Sequence, residues 1–208
     1  MNDFNKEEIV QERLFLEVPT LARKEEALDY LKENVEYGSN LNGTGSMDRC
    51  LDNMSYEEWL LELEKRKDRA YLKRINRCPS KTFFVVREND NKIVGMINVR
   101  YDIPEDYLKS WASHIGYGIR PTERRKGYAK ISLYLALLEE QKLSEKRVLL
   151  ICDVDNIGSD KTIRALGGEL EETKIYEYDG KLTNYYWINV DDAIEAYHKQ
   201  YKDYIIVK

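Results

Sequence analysis

One stretch of this 208-residue chain constrains the fold more than any other, because a strand, a basic turn and an apolar helix follow one another directly. The segment HIGYGIR (114–120) has the apolar, β-compatible composition of a strand, and Arg124, Arg125 and Lys126 then stand immediately before Gly127. After the glycine, apolar residues recur at i, i+3, i+4 and i+7, which predicts a helix with a buried face. They are Ile131, Tyr134, Leu135 and Leu138. Such a helix must pack against a sheet.

The start of this predicted helix has the chemistry of an anion site. The first N–H groups of a helix have no partner inside it, and the helix dipole adds partial positive charge there. Gly127 has no Cβ, so an oxygen can approach the main chain closely. The cations from Arg124 to Lys126 surround the same point. The sequence therefore predicts a pyrophosphate site.

Two common phosphate motifs do not fit this turn. The P-loop pattern GxxxxGK[ST] is absent from the chain, which argues against a P-loop nucleotide site. Gly116 and Gly118 precede the turn, but a dinucleotide-binding GxGxxG pattern would need glycine where Pro121 stands. The pattern that remains is R-x-x-G-x-A, from Arg124 to Ala129.

Composition excludes several classes of function. The net charge of −5 argues against a nucleic-acid binder, since phosphate binding needs a surplus of Lys and Arg. No apolar run approaches the roughly 18 residues of a membrane helix, and the polar N-terminus does not resemble a signal peptide. Three cysteines without a CxxC pair favour a reducing cytoplasm. With only two histidines, we expect no metal site.

Periodicity and turn residues predict an alternating order of strands and helices. Strands are expected at 13–18, in a hairpin around the turn 88–91, at 114–120, at 147–154, and in a second hairpin around Asp179-Gly180. Helices are expected at 21–37, at 56–75 behind a capping box of Ser55 and Glu58, after Gly127, at 159–166 with Ser159 as N-cap, and at 191–201.

This order predicts a mixed α/β (α+β) fold, with a twisted, mostly antiparallel sheet of about six to seven strands flanked by helices. The chain length suits one domain over 1–208, with its core at 13–190 and a helical extension at 191–208. The tyrosine-rich edge from Tyr176 to Trp187 could pair with a second copy, so a homodimer is a further expectation.

The turn resembles a known family signature. Arg124-Arg-Lys-Gly-Tyr-Ala129 is similar to the R/Q-x-x-G-x-G/A motif of the GCN5-related N-acetyltransferase (GNAT) superfamily, and the strand before it and helix after it stand where that family has them. The segment DNIGSDKTIRALGG (155–168) resembles the family's second motif, an Asn followed three positions later by a small residue, here Ser159. The resemblance covers roughly 13–190 and is closest to a bacterial group of acetyltransferases.

The resemblance implies a function, a co-substrate and a set of roles. The chain would transfer the acetyl group of acetyl-CoA to a primary amine of a small molecule or peptide, by direct attack in a ternary complex. The main chain around Gly118 and Ile119 would pair with the pantetheine arm, and Asn156 would hydrogen-bond it. The remaining implied acetyl-CoA contacts are Arg124, Arg125, Lys126, Gly127, Tyr128, Ala129 and Ser159.

The sequence departs from the family at the proton donor. Many members have a tyrosine seven residues after the motif Asn, and this chain has Ile163. Candidates for proton transfer are His114 and Tyr117 on the strand and Glu123 after it. The alternative for His114 is a structural role, and for Tyr117 a sheet residue whose hydroxyl reaches water. Because of Ile163, a CoA-binding module without turnover is the alternative function.

Overall fold

The computed structural model describes residues 12–110, 113–177 and 179–207. Its helices are α1 (Lys24–Glu36), α2 (Tyr56–Lys65), α3 (Arg69–Arg74), α4 (Glu105–Ser110), α5 (Tyr128–Lys142), α6 (Ile157–Arg164) and α7 (Val190–Tyr201). Its strands are β1 (Leu14–Glu17), β2 (Ser80–Arg87), β3 (Lys92–Arg100), β4 (Ile115–Ile119), β5 (Arg147–Asp153), β6 (Glu169–Ile175), β7 (Leu182–Asn189) and β8 (Ile205–Ile206).

The strands form two sheets, where the sequence predicted one. Five strands pair in the order β4-β3-β2-β1-β8, and three pair in the order β5-β7-β6. Each pairing is antiparallel except that of β1 with β8, which is parallel. The predicted mixed, mostly antiparallel α/β fold is confirmed, but the described residues contain eight strands rather than six or seven.

Helix α5 lies at the centre of the larger core. It packs against α6, α7, β1, β3 and β4, so apolar side chains are needed on most of its circumference rather than on one stripe. Its buried apolar residues are Tyr128, Ile131, Leu133, Tyr134, Leu135, Ala136 and Leu137. This burial on all sides fixes the position of the helix start, at Gly127.

The opposite face of the five-stranded sheet carries a second core, covered by α1 and α2. Side chains alternate along β2, so that Phe83 and Val85 enter the α5 core while Phe84 and Val86 enter the second. Trp59 is completely buried there and stands 6.3 Å from Phe84 between ring centroids. The sheet is therefore covered on both faces, and the free edge of β4 lies open on one side.

Local chemistry moves two predicted boundaries. The helix expected over 56–75 is two helices, because the Asp68 side chain accepts hydrogen bonds from the N–H groups of Ala70 and Tyr71 and starts a new helix. Asn156, not Ser159, caps α6, and its Oδ1 accepts from the Ser159 N–H. Strand β8 has two residues, too few to carry a sequence pattern.

Candidate functional site

A cleft of about 1720 Å³ separates the two sheets along β4 and β5. Just before β4, the His114 N–H donates to Leu149 O on β5 at 2.8 Å. Beyond that point no ladder joins them in the described residues, so the edge of each strand opens into the cleft. A β4 edge of five residues gives this opening a length of about 13 Å.

The register of β4 decides which main-chain groups face the cleft. Arg100 N donates to His114 O, and Arg120 N donates to Val94 O, so the even-numbered residues of β4 bond to β3. The N–H and C=O groups of Ile115, Tyr117 and Ile119 therefore point to the open edge. The predicted contact at Gly118 and Ile119 is shifted by this register: Gly118 bonds to β3, whereas Ile119 and Tyr117 face outward.

The same argument applies to β5. Val154 N donates to Leu182 O and Val190 N donates to Lys146 O, so the even-numbered residues of β5 bond to β7. The main-chain groups of Leu149, Ile151 and Asp153 point toward β4. The Leu149 N–H and C=O groups are both hydrogen-bonded to His114. Ile151 is therefore the first residue of β5 whose main-chain groups face the open cleft.

His114 closes the narrow end of the cleft. Its Nδ1 accepts the Leu149 N–H at 2.9 Å, and the ring is 3% exposed. Burial, with a further contribution from the Arg100 charge, lowers the pKa of His114 to about 4. The side chain does not line the cleft. This geometry argues against the predicted general base and favours the structural role, with a strand amide rather than a loop carbonyl as its partner.

Gly116 and Gly118 serve close packing. A Cβ on Gly118 would stand 3.0 Å from Asn42 O, and a Cβ on Gly116 would stand 3.3 Å from Gly43 N. The loop at 42–43 therefore lies directly on this face of β4. The Gly-x-Gly pair is a packing feature that forms one wall of the cleft.

The start of α5 lies at the wide end of the cleft and has no side-chain cap. Gly127, at the N-cap, has φ +85°, which suits glycine. Lys130 N is the first helix amide to find a carbonyl, that of Gly127 at 3.1 Å. The amides of Tyr128 and Ala129 precede it, no side chain of the described residues caps this end, and no acid lies in the first turn. An anion can therefore bind there.

The cations of the turn divide into two groups. Arg124 donates to Ile119 O and Ser39 Oγ, so it fixes the turn to β4. Lys126 pairs with Glu123 at 2.7 Å and does not line the cleft. Arg125 lines it, as does Lys130 one turn into the helix, a residue that the sequence motif did not indicate. Arg124 also lines the cleft, so all three cations add positive charge to its wall.

Glu123 is a support for the turn. Burial alone would raise the pKa of Glu123, but Lys126, Lys92 and Arg87 together lower it to about 2. All three cations lie within 2.7 Å of its carboxylate oxygens. A carboxylate held in this way is a poor proton acceptor, so the structure does not favour Glu123 as the base.

Tyr117 and Ser159 meet across the cleft. The Tyr117 hydroxyl and Ser159 Oγ are 3.0 Å apart, and both residues line the cleft. Burial raises the pKa of Tyr117. Because its pKa is raised, the Tyr117 hydroxyl stays protonated near neutral pH, so it can donate a hydrogen bond but is not a base. Asn156 also lines the cleft, on the same helix.

Ile163, at the position of the family tyrosine, faces the core. It is completely buried, and a Cβ on Gly168 would stand 2.4 Å from its Cγ2. The α6 residues that line the cleft are Asn156, Gly158, Ser159, Lys161 and Thr162. The face of α6 that meets the cleft therefore offers hydroxyls, and the family tyrosine position is closed to ligands.

Polar side chains line the narrow end of the cleft. Asp48 accepts from Thr44 Oγ1 at 3.0 Å, whereas Asp153, which pairs with Lys181 at 3.2 Å, lies beyond Ile151 on β5 and therefore toward the wide end. Arg77 and Arg100 lie on the same side as the loop at 42–43. This end is suited to a polar ligand and lies opposite the anion site.

Comparison with known proteins agrees with this geometry. Residues 51–167, more than half of the chain, match the sequence model of the Acetyltransferase (GNAT) family. The chain belongs to this family. It is therefore an acyltransferase that uses acetyl-CoA as its co-substrate. No curated protein matches the sequence.

Several solved structures share the fold. The ribosomal-protein-S5-alanine acetyltransferase from Vibrio fischeri has a TM-score of 0.60 at 17% identity, over 88% of this chain and 94% of its own. A ribosomal L7/L12 alpha-N-protein acetyltransferase in complex with coenzyme A has 0.58 at 19%, over 85% and 93%. The spermidine/spermine N-acetyltransferase SpeG from Vibrio cholerae has 0.57 at 16%, over 88% and 98%.

The described residues offer neither a metal site nor a membrane-spanning helix. Among the described residues, no group of three or more His, Cys, Asp or Glu side chains is arranged to hold a metal ion. Within the same residues, no helix has both the length and the apolar character needed to cross a membrane.

Proposed function

We propose that this protein acetylates a primary amine of a small molecule or peptide, by direct attack of the amine on acetyl-CoA in a ternary complex. The observation that carries the proposal is the continuous path between β4 and β5. It joins an uncapped helix start at one end to a polar pocket at the other. A long, thin ligand with an anionic end fits this path.

In this proposal, acetyl-CoA lies along the open edges of both strands. The amides of Arg125 to Ala129 bind the pyrophosphate, and the Arg125 and Lys130 side chains add charge. The outward main-chain groups of Tyr117, Ile119 and Ile151 are available to pair with the pantetheine arm, although the Ile119 carbonyl already accepts from Arg124. The thioester then lies toward the narrow end.

Tyr117 and Ser159 are assigned to the leaving sulfur. The amine nitrogen attacks the thioester carbon, the carbon–sulfur bond breaks, and the sulfur leaves as a thiolate. Because burial keeps Tyr117 protonated at neutral pH, its hydroxyl is available to donate a hydrogen bond that stabilises this thiolate, with Ser159 Oγ 3.0 Å away. The amine loses its proton to solvent, and the thiolate takes a proton from solvent.

Three wider expectations accompany this function as proposals. The cysteines Cys50, Cys78 and Cys152 are free thiols, which is consistent with a cytoplasmic protein. The two sheets share one core around α5, which favours a single domain. Strand β6 is an edge strand with an exposed surface, so a homodimer through the Tyr176–Trp187 region stays a proposal.

The test of the function compares Gly127→Asp with Gly127→Asn. Both residues tolerate positive φ, and the space around Gly127 is open within 4 Å, so both variants should fold. Asparagine should keep most of the affinity for acetyl-CoA. Aspartate places a charge at the phosphate site and should raise the KM for acetyl-CoA about ten-fold or more beyond the asparagine variant.

The measurements are calorimetric binding of acetyl-CoA and release of free thiol with a panel of amines. Equal affinity in the two folded variants would show that the pyrophosphate binds elsewhere. Failure of the wild-type protein to release thiol with any amine, despite binding acetyl-CoA, would contradict the transferase function.

A further inference from the structure

A side pocket of about 220 Å³ adjoins the narrow end of the cleft. It shares walls with the cleft at the 42–43 loop, Asp48, Arg77 and Arg100. Pockets that enclose a whole small ligand usually have volumes of about 300 Å³ or more. The side pocket is therefore sized for one group of a ligand whose remainder lies in the cleft.

The charges on its walls are unequal. Arg66, Arg77 and Arg100 line the side pocket, and Asp48 is the single carboxylate among its described lining residues. Arg66 is already engaged, since it pairs with Glu62 at 3.2 Å and donates to Gly45 O at 3.1 Å. Arg77 and Arg100 also line the main cleft, so their charge faces the place where the two cavities meet.

Arg100 is a partly buried cation without a counter-charge among the described residues. Its Nη1 donates to Ser113 O at 2.9 Å, and no described carboxylate lies within ion-pair distance. Its Nη2 is directed toward the cleft floor, 3.7 Å from where a Cβ on Gly116 would stand. Burial, and in smaller part the Arg77 charge, lowers the pKa of Arg100.

The nearby acid on α5 does not neutralise it. Burial raises the pKa of Glu140 to about 9, so this group is uncharged near neutral pH. A partly buried cation with no counter-charge is destabilising, and an anion that binds it offsets that penalty. The planar guanidinium matches the two oxygens of a carboxylate, which makes this class of anion the best fit.

We propose that the acceptor carries a carboxylate as well as its reactive amine, and that Arg100 and Arg77 bind this carboxylate at the mouth of the side pocket. The inference rests on the proposed acetyl transfer and names the substrate class of the same site. Arg100 pairs with the end of β4 that is farthest from the anion site at α5. The amine of such an acceptor would then lie beside the open edge at Ile115, near the thioester.

The same charges disfavour other acceptors. A polyamine would bring a second ammonium group toward two guanidinium groups, which is unfavourable in a partly buried site. A simple alkylamine would leave Arg100 without an anion. Amino acids and short peptides whose carboxylate lies close to the amine are the acceptors that this geometry favours.

The experiment compares ω-amino acids of increasing length (glycine, β-alanine and 4-aminobutyrate), each beside its primary amide and beside spermidine. Thiol release is measured as kcat/KM referred to the free-amine fraction, because the amides have less basic amines. At least one carboxylate should exceed its amide, and Arg100→Gln should lower this carboxylate-to-amide ratio about ten- to hundred-fold. The carboxylate-to-amide ratio of Arg100→Lys should lie between those of the wild type and Arg100→Gln, because lysine keeps the charge but lacks the planar guanidinium group.

Arg13→Gln is the matched control. Arg13 lies on the surface, in an exposed ion pair with Glu88, so its loss should leave the ratio unchanged. Calorimetric binding of the same carboxylates and amides to the CoA complex gives a second readout that needs no turnover. Retained acetyl-CoA binding by Arg100→Gln shows that this variant is folded.

Three outcomes would overturn the proposal. The first is that carboxylates and amides react and bind alike in the wild-type protein. The second is that Arg100→Gln lowers the turnover of all amines equally and leaves the ratio unchanged, which would indicate a role in charge stabilisation at the thioester. The third is that none of the tested carboxylates binds to the CoA complex. Failure of acetyl-CoA itself to bind would instead reject the proposed function.

Discussion

His114 lies at the point where β4 and β5 separate. A regular pairing of β4 with β5 would continue along both strands, and it would leave no open edges. Here an imidazole nitrogen takes the place of a carbonyl at the first step, where it accepts the Leu149 N–H. Main-chain pairing stops at that step, and the strands separate.

The residue-scale prediction is a comparison of His114→Ala with His114→Asn. Alanine leaves the buried Leu149 N–H without an acceptor, so the free energy of unfolding should fall by about 1–3 kcal/mol. Asparagine carries an oxygen at the position of Nδ1 and should retain most of the stability. Urea denaturation measures both, and equal losses in the two variants would show that packing, not the hydrogen bond, is lost.

His114 also predicts an acid dependence. Its pKa is about 4 in the folded protein and 6.5 in the unfolded chain, so the unfolded chain binds more protons between these values. The His114 contribution is therefore complete above pH 6.5 and is lost as the pH falls to 4, by about 3 kcal/mol at most. His114→Asn should not show this loss. The same acid slope in that variant would contradict the assignment.

At the scale of elements, the loop at 42–43 fixes one wall of the cleft. A Cβ on Gly43 would stand 2.7 Å from Gly116 O and from Tyr117 Cα, and φ is +75°. Gly38 has φ +59° with nothing within 4 Å, so it is a matched control. Gly38→Ala should cost about 1–2 kcal/mol for the backbone conformation alone. Gly43→Ala should cost clearly more, because the loop must move off β4.

Chemical denaturation of both variants, with acetyl-CoA binding as a second readout, checks this prediction. Similar losses of stability would mean that the loop can move away from β4 without penalty. Unchanged acetyl-CoA binding in Gly43→Ala would show that the loop contributes nothing to the β4 edge.

The elements that the sequence predicted well are those governed by local chemistry. The turn at Gly127, the long helix after it and the hairpin at Asp179-Gly180 depend on neighbouring residues, and the structure has all three. The division of helix 56–75 was missed although its signal was present, since Asp68 is a good N-cap.

The features that could not be predicted depend on contacts between distant segments. The cleft opens where the hydrogen bonding between residues 114 and 149 ends. The unpaired charge of Arg100 depends on what β3, β4 and α5 place around it, and no motif in the sequence marks it. The ion pair between Lys126 and Glu123 could not be predicted either, because the burial of the Glu123 carboxylate is set by the surrounding fold.

At the scale of the whole molecule, two buried groups give opposite pH dependences. Glu140 is completely buried on α5, and its carboxylate oxygens have no hydrogen-bond partner among the described residues. Burial, and then the Glu145 charge, raises its pKa to about 9, while Arg100 and Lys81 act in the opposite direction. The folded protein therefore holds a proton that the unfolded chain releases above pH 4.5.

Between pH 4.5 and 9 the folded state binds the extra proton, so stability falls as the pH rises through this range. Between pH 4.5 and 6.5 the opposite slope of His114 offsets this fall. Above pH 6.5 His114 no longer contributes a slope. Between pH 6.5 and 9 the ionisation of Glu140 should therefore lower the free energy of unfolding by about 3 kcal/mol.

Glu140→Gln should remove this alkaline fall, because the amide has nearly the shape of the protonated acid and no proton to release. The variant should be more stable than the wild type at pH 8, with the difference shrinking toward pH 5. Glu139→Gln is the control, since Glu139 lies beside it on α5 and pairs with Lys142 at 2.6 Å. Thermal melts across this pH range measure the effect, and parallel curves for the wild type and Glu140→Gln would show that Glu140 is ionised in the fold.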